Sequence, residues 1–254
     1  FGITSNPSTL FACAFAALIH DAGHPGVPNM RLVQEGGPLV DKYNGRSMAE
    51  QASVDLAWNL FMTNQFQLLR ETVCATPAEL SQFRQLIVNL VMATDIMDRD
   101  LQQRRQKRWK KAFEPSIDNS IHNSESDASK SASTREETNR KATMVIEYLI
   151  QVSDIVHTMQ HWHVYRKWNE RLFEEMLQAY QMGRADKDPS EFWYKGEMDF
   201  FDKHVIPLAK KLKQCGVFGV SSDEYLNYAL ENRREWELKG KQVVQEMVGR
   251  MKNR

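Results

Sequence analysis

An all-helical protein is the fold this sequence predicts, and three observations carry that expectation. Apolar residues recur at helical spacing along almost all of the 254 residues. No run of strict apolar and polar alternation bounded by turn residues occurs. Segments such as Pro7-Ser8-Thr9 and Ser47-Met48-Ala49-Glu50 stand where helices would open.

In chain order, the first helix runs from Pro7 to beyond Ile19. It is apolar on nearly every side and so expected at the centre of the core, and it ends near His24 because Pro25-Gly26 and Pro28 stop it. A loop with Gly36-Gly37-Pro38 and Asn44-Gly45 follows. The spacing of Ser47 and Glu50 predicts a capping box on a helix reaching about Asn64. Another helix begins near Thr76-Pro77 and carries Phe83, Leu86, Ile87, Leu90, Val91 and Thr94 on one face, up to Asp95.

From about Glu114 to Arg140 the chain is serine-rich with almost nothing to bury, which predicts a disordered, flexible internal loop within one domain covering residues 1–254. Lys141 to about Met182 reads as one long helix or two in close succession. Two more are expected over Ser190 to Cys215 and Asp223 to Lys252, the last strongly charged and at an edge.

Composition bounds function. Lys and Arg number 33 and so do Asp and Glu, which argues against a broad electrostatic footprint for nucleic acid or membrane. An anionic substrate must then be held by local groups. Cys13, Cys74 and Cys215 show no CxxC spacing, so neither a disulfide framework nor a thiolate zinc site is indicated, and a cytoplasmic setting is expected. The longest apolar run, Leu10 to Ile19, falls far short of the roughly 20 residues that span a bilayer. The chain opens Phe1-Gly2-Ile3, without methionine or signal peptide, and reads as part of something longer.

His20 and Asp21 follow the apolar run directly. A buried imidazole and carboxylate each cost several kcal/mol unless partnered, and a metal ion satisfies both. Asp154 lies on the stripe of the later long helix beside Val145, Leu149 and Val152 and raises the same question. The economical expectation is that His20, Asp21 and Asp154 converge on metal, with a capped or salt-bridged Asp154 as the plainer alternative. A local cluster of His157, His161 and His163 has an i, i+4 pair but no evident third ligand.

The stretch His20-Asp21-Ala22-Gly23-His24-Pro25-Gly26-Val27-Pro28-Asn29 resembles the signature of class I 3',5'-cyclic-nucleotide phosphodiesterases, a branch of the HD metal-dependent phosphohydrolases. The resemblance continues through Tyr43-Asn44, Ser47-Met48-Ala49-Glu50, Ala93-Thr94-Asp95, Asp154, Tyr165-Arg166-Lys167-Trp168 and Phe200-Phe201-Asp202 before Pro207-Leu208. It implies hydrolysis of cAMP or cGMP to the 5'-monophosphate by two divalent metals that share a carboxylate and hold a water.

His20, Asp21 and Asp154 would bind the tighter metal, usually zinc, and Asp21 would bridge to a second, usually magnesium or manganese. His24, Asn29, Glu50 and Asp95 fall at water-binding or lining positions. His157, Leu172, Glu197 and Phe200 fall in the nucleotide pocket, Phe200 and Leu172 as a clamp on the base. The cyclic nucleotide is the implied partner, and fusion to other signalling domains or a membrane anchor elsewhere in the full-length protein would fit relatives.

Three departures stand out. The family's HNxxH segment, with a metal-ligand histidine and the general acid, should lie upstream of Phe1. Glu197 stands where the family nearly always has a glutamine that reads the purine edge, and a carboxylate can only accept unless protonated. His157 replaces a pocket asparagine. The competing readings are an HD phosphohydrolase acting on another nucleotide and a degenerate, non-catalytic nucleotide-binding module.

Overall fold

The computed structural model describes residues 6–113, 127–216 and 221–252, and every element among them is helical. Their contacts fall into two compact units, one of Phe1–Gly23 and Arg46–Gln151, the other of His24–Gly45 and Val152–Arg254.

The first unit opens with α1 (Pro7–Ile19), where the Asn6 side chain accepts from the Thr9 amide and Pro7 sits at the first helical position. Ala12, Ala16 and Ile19, spaced four and three apart, are its buried row, and two fully buried alanines allow close approach of α6 (Pro77–Thr94). With Val54 and Phe61 of α4 (Met48–Phe61), Phe83, Ile87 and Val91 of α6, and Ile146 and Ile150 of α8 (Asp127–Ile155), that row forms one core cluster. Phe11 stacks on Phe83 at 5.8 Å with a 10° interplanar angle, and Phe15 meets Phe61 at 5.5 Å.

The expectation that α1 is buried all round does not hold, since Leu18 is 80% exposed and Leu10 43%. The row of Ala12, Ala16 and Ile19 takes the packing face with Phe11 and Phe15 beside it, and Leu10 and Leu18 lie away from it.

Helix α6 opens at Pro77, where a helix start is expected, and carries a capping box of Thr76 with Glu79. The box expected at Ser47 is absent: Ser47 adopts a left-handed conformation (φ 37°) and its hydroxyl donates to Asp95 Oδ2 at 2.6 Å. A short helix, α5 (Gln67–Val73), precedes α6, and α7 (Arg99–Phe113) follows it with Asp98 accepting from the Leu101 amide. Helix α8 begins at Asp127, before the expected start at Lys141, and residues 114–126 of the expected loop lie outside those described. Lys, Arg, Glu and Ala are strong helix formers, and Glu137 and Lys141 add an i, i+4 pair at 2.7 Å.

In the second unit, two short helices, α2 (Asn29–Glu35) and α3 (Pro38–Tyr43), occupy the expected glycine loop. They are tied to the end of α9 (Trp162–Gln181) because Arg184 donates to both Glu35 oxygens, at 3.1 and 2.9 Å, and to the Pro25 carbonyl. The long helical stretch expected to reach Met182 is thus two helices, α8 and α9, with a 3-10 turn at Val156–Met159 after the first.

The stretch expected as one helix over 190–215 is α10 (Pro189–Phe200), a π turn (Phe201–Val205) and α11 (Ile206–Cys215). Pro207 has no amide hydrogen to give to the preceding turn, which accounts for a locally widened ladder there.

Helix α12 (Ser221–Lys252) packs through one face. Ala229, Asn232, Trp236, Val243 and Met247 are buried along one stripe, and the charges occupy the remaining faces. Gly240 belongs to that stripe because a Cβ there would meet Trp236 and Tyr194 at 2.9 Å. Asn232 donates to the carbonyls of Thr158 (2.9 Å) and Gln160 (2.7 Å), fixing the link between α8 and α9.

Candidate active site

The histidine and aspartate pair sits in the turn after α1. His20 Nδ1 is 2.9 Å from the Ala17 carbonyl, an arrangement that places the proton on Nδ1 and the lone pair on Nε2. Nε2 in turn is 3.4 Å from Asp21 Oδ2, with the two side chains 22% and 65% exposed. Two acceptors at that separation are stabilised by a cation between or beside them, and a ring whose other N–H is tied to a carbonyl is oriented as ligating histidines are. The donor set therefore fits two ligands of a divalent metal. Among the described residues no group of three His, Cys, Asp or Glu is close enough to hold one.

The first unit also holds Glu50, half-buried in the opening turn of α4, and Asp95, which is buried. Besides the Ser47 hydroxyl, Asp95 accepts from the amides of Met97 (2.9 Å) and Asp98 (3.1 Å). Its carboxylate thus fixes the start of α4, where Glu50 lies, and the turn into α7.

The second unit contains the other candidates. His24 Nδ1 accepts from the Gly26 amide at 3.2 Å, in a turn that Gly26 enters at φ 71°. Asn29 is half-buried at the start of α2. Asp154, in the last turn of α8, is exposed and not on a buried face, because the buried row of that helix passes through Ile150, Gln151 and Val152. His157 is hydrogen-bonded to the Asp154 main chain, and burial pushes its pKa down despite the Asp154 charge. His161 caps α9 and accepts from His163, whose Nδ1 lies 2.7 Å from its own. The cap accounts for His161 at the start of α9.

Leu172 is 47% exposed, so it is not core packing. Phe200 is half-buried at the end of α10, its ring 5.7 Å from that of His204.

Glu197 sits in a closed polar network. Trp193 Nε1 donates to Asn169 Oδ1 (3.1 Å), Asn169 Nδ2 to the Tyr165 hydroxyl (3.3 Å), and Tyr165 to Glu197 Oε2 (2.6 Å). All four side chains are buried. Burial pushes the Glu197 pKa up to about 7, although the Tyr165 and Asn169 hydrogen bonds favour the carboxylate. Near neutral pH the group is therefore divided between an acceptor-only carboxylate and a carboxylic acid that both donates and accepts, the pattern of an amide. The sequence reading missed Tyr165 and Asn169. Their signal was two polar residues four apart on the stripe that also carries Phe173, in an otherwise charged helix.

Residues 3–217 match the family model described as 3'5'-cyclic nucleotide phosphodiesterase. The chain is 27% identical over 248 residues to the probable 3',5'-cyclic phosphodiesterase pde-3 of Caenorhabditis elegans, covering 92% of this chain and 33% of that protein. It is 38% identical over 88 residues to the cGMP-inhibited 3',5'-cyclic phosphodiesterase 3A of Rattus norvegicus, 34% of this chain and 7% of that one. Among solved structures, the phosphodiesterase domain of Salpingoeca rosetta rhodopsin phosphodiesterase matches with a TM-score of 0.68 at 19% identity, over 95% of this chain and 69% of that chain.

The all-helical fold is thus that of a phosphodiesterase catalytic domain. The chain belongs to the class I 3',5'-cyclic nucleotide phosphodiesterase family. It spans a third of pde-3.

Proposed function

We propose that this chain carries part of the catalytic machinery that hydrolyses a 3',5'-cyclic nucleotide to the 5'-monophosphate. The observation that supports it most is the His20 and Asp21 turn, with Nε2 turned to an exposed carboxylate by the Ala17 carbonyl. His20, Asp21 and Asp154 would hold the divalent cations, zinc with magnesium or manganese, which when bound would activate water and neutralise charge on phosphorus. His24, Glu50 and Asn29 would hold water and substrate oxygens in place.

On the nucleotide side, Phe200 and Leu172 would hold the base between them, with His157 nearby. Glu197 would meet the purine edge. As an acid it supplies one donor and one acceptor, which suits adenine N1 and its amino group, and as a carboxylate it accepts only, which suits the guanine N1–H. A non-catalytic nucleotide-binding module is the second reading, supported by the same carboxyl standing where the family has glutamine.

The test is hydrolysis of cyclic AMP and cyclic GMP by the full-length protein, supplemented with zinc and magnesium or manganese, beside Asp154→Ala. Loss of turnover in the variant supports the hydrolase, and unchanged turnover refutes the site assignment. Saturable nucleotide binding without turnover in either protein points to the second reading.

A further inference from the structure

We propose that the cleft between α6, α7 and α8 is a binding site for a small, multiply charged phosphate anion, held by Arg104, Arg105, Lys107 and Arg108. The open cleft measures about 510 Å³ and is lined also by Asn89 and Met92 of α6, Leu101 of α7 and Glu147 of α8. That is within the range of small-molecule sites, about 300 to 1,000 Å³.

Three observations support it. The first is charge: α7 reads RDLQQRRQKRWKKAF, seven cations and one carboxylate, in a protein whose cations and anions balance. The second is how little of that charge is answered. Among the described residues one cation of α7 has an ion pair, Arg108 with the buried Glu147 at 2.6 Å, and Glu147 is also the one carboxylate lining the cleft. On α12, where six cations are matched by six carboxylates, Arg233, Lys239 and Arg250 all pair with carboxylates.

The third is Arg105. It lines the cleft at 6% exposure, and its guanidinium donates to two main-chain carbonyls, Met92 at 3.4 Å and Asp95 at 3.2 Å. Burial lowers the pKa of this guanidinium, and the two carboxylates that act against that, Glu147 and Asp95, are already engaged by Arg108 and by Ser47 with two amides, so a further anion would stabilise the charge. Arg105 and Arg108 are three apart, and Arg104 and Arg108 four apart, so they present forks along one face, suited to several phosphate oxygens at once. A singly charged ion would leave most of this charge uncompensated, hence a di- or polyphosphate.

The site stands independently of the hydrolase reading, and its test measures binding alone. In titration calorimetry at low ionic strength with chelator present, inorganic pyrophosphate should bind saturably and at least tenfold more tightly than orthophosphate. Arg104→Gln with Lys107→Gln, both exposed, should weaken it at least tenfold at unchanged thermal midpoint, and Lys203→Gln with Lys210→Gln should leave it within twofold. Absence of saturable binding, equal affinity in the Arg104 and Lys107 variant, or binding to anionic vesicles or a single-stranded oligonucleotide that pyrophosphate does not displace would each overturn the proposal.

Discussion

The surroundings of Glu197 and of Asp21 solve the problem of placing a carboxyl group in opposite ways. Glu197 is buried at the end of a donor chain, Trp193 to Asn169 to Tyr165, whose members all come from α9 and α10. Asp21 is 65% exposed, and its neighbour His20 turns an acceptor nitrogen toward it. One carboxyl draws its donor from within the fold, and the other belongs to the pair proposed to hold a cation. The difference teaches that removing a residue from the first should be felt in folding, and from the second in chemistry.

The sharpest way to break that contrast is Asp21→Ala. Cyclic-nucleotide hydrolysis by the full-length protein should fall about a thousandfold or more. Its thermal midpoint without metal should move by no more than about 2 °C, as for most exposed sites. A large loss of stability would erase the distinction.

Asn169→Leu should do the reverse. It strands the Trp193 N–H in the interior and removes the donor to the Tyr165 oxygen, which keeps its bond to Glu197, and urea unfolding should show a loss of roughly 2 to 4 kcal/mol.

Glu197→Gln probes the same network through pH. A carboxyl whose folded pKa of about 7 exceeds the unfolded 4.5 holds its proton in the native state across that window. The native form therefore binds more protons than the unfolded one, and stability falls as pH rises from about 4.5 through 7, by roughly 2 to 3 kcal/mol. The glutamine variant should lack this contribution in urea melts at pH 5 and pH 8, and a profile parallel to the parent's would remove Glu197 as its source. Smallest is Ser47→Ala, which frees one buried Asp95 oxygen and should cost about 1 to 2 kcal/mol by the same measurement.

Much of the fold was legible because it rests on local rules. Pro7, Pro77 and Pro189 each open a helix, close to where helix starts are expected. Of the candidate site, the turn at His20 and Asp21 was readable for the same reason. What escaped depends on partners distant in sequence. Ser47 forgoes its cap for Asp95, which lies forty-eight residues away. The stripe of α12 emerges only when Trp236 meets Tyr165 and Trp162, and Asp154 proves exposed because the burial of α8 follows neighbours that its own periodicity does not name.

The stripe of α12 also bears on where this domain can be cut. The family match stops at residue 217, before α12 begins at Ser221. A chain trimmed to that match would expose the aromatic bed of Tyr165 and Phe201 and release the Thr158 and Gln160 carbonyls that Asn232 holds. For anyone producing the protein, the recognisable family segment is shorter than the unit that folds, and the last helix belongs in every expression boundary.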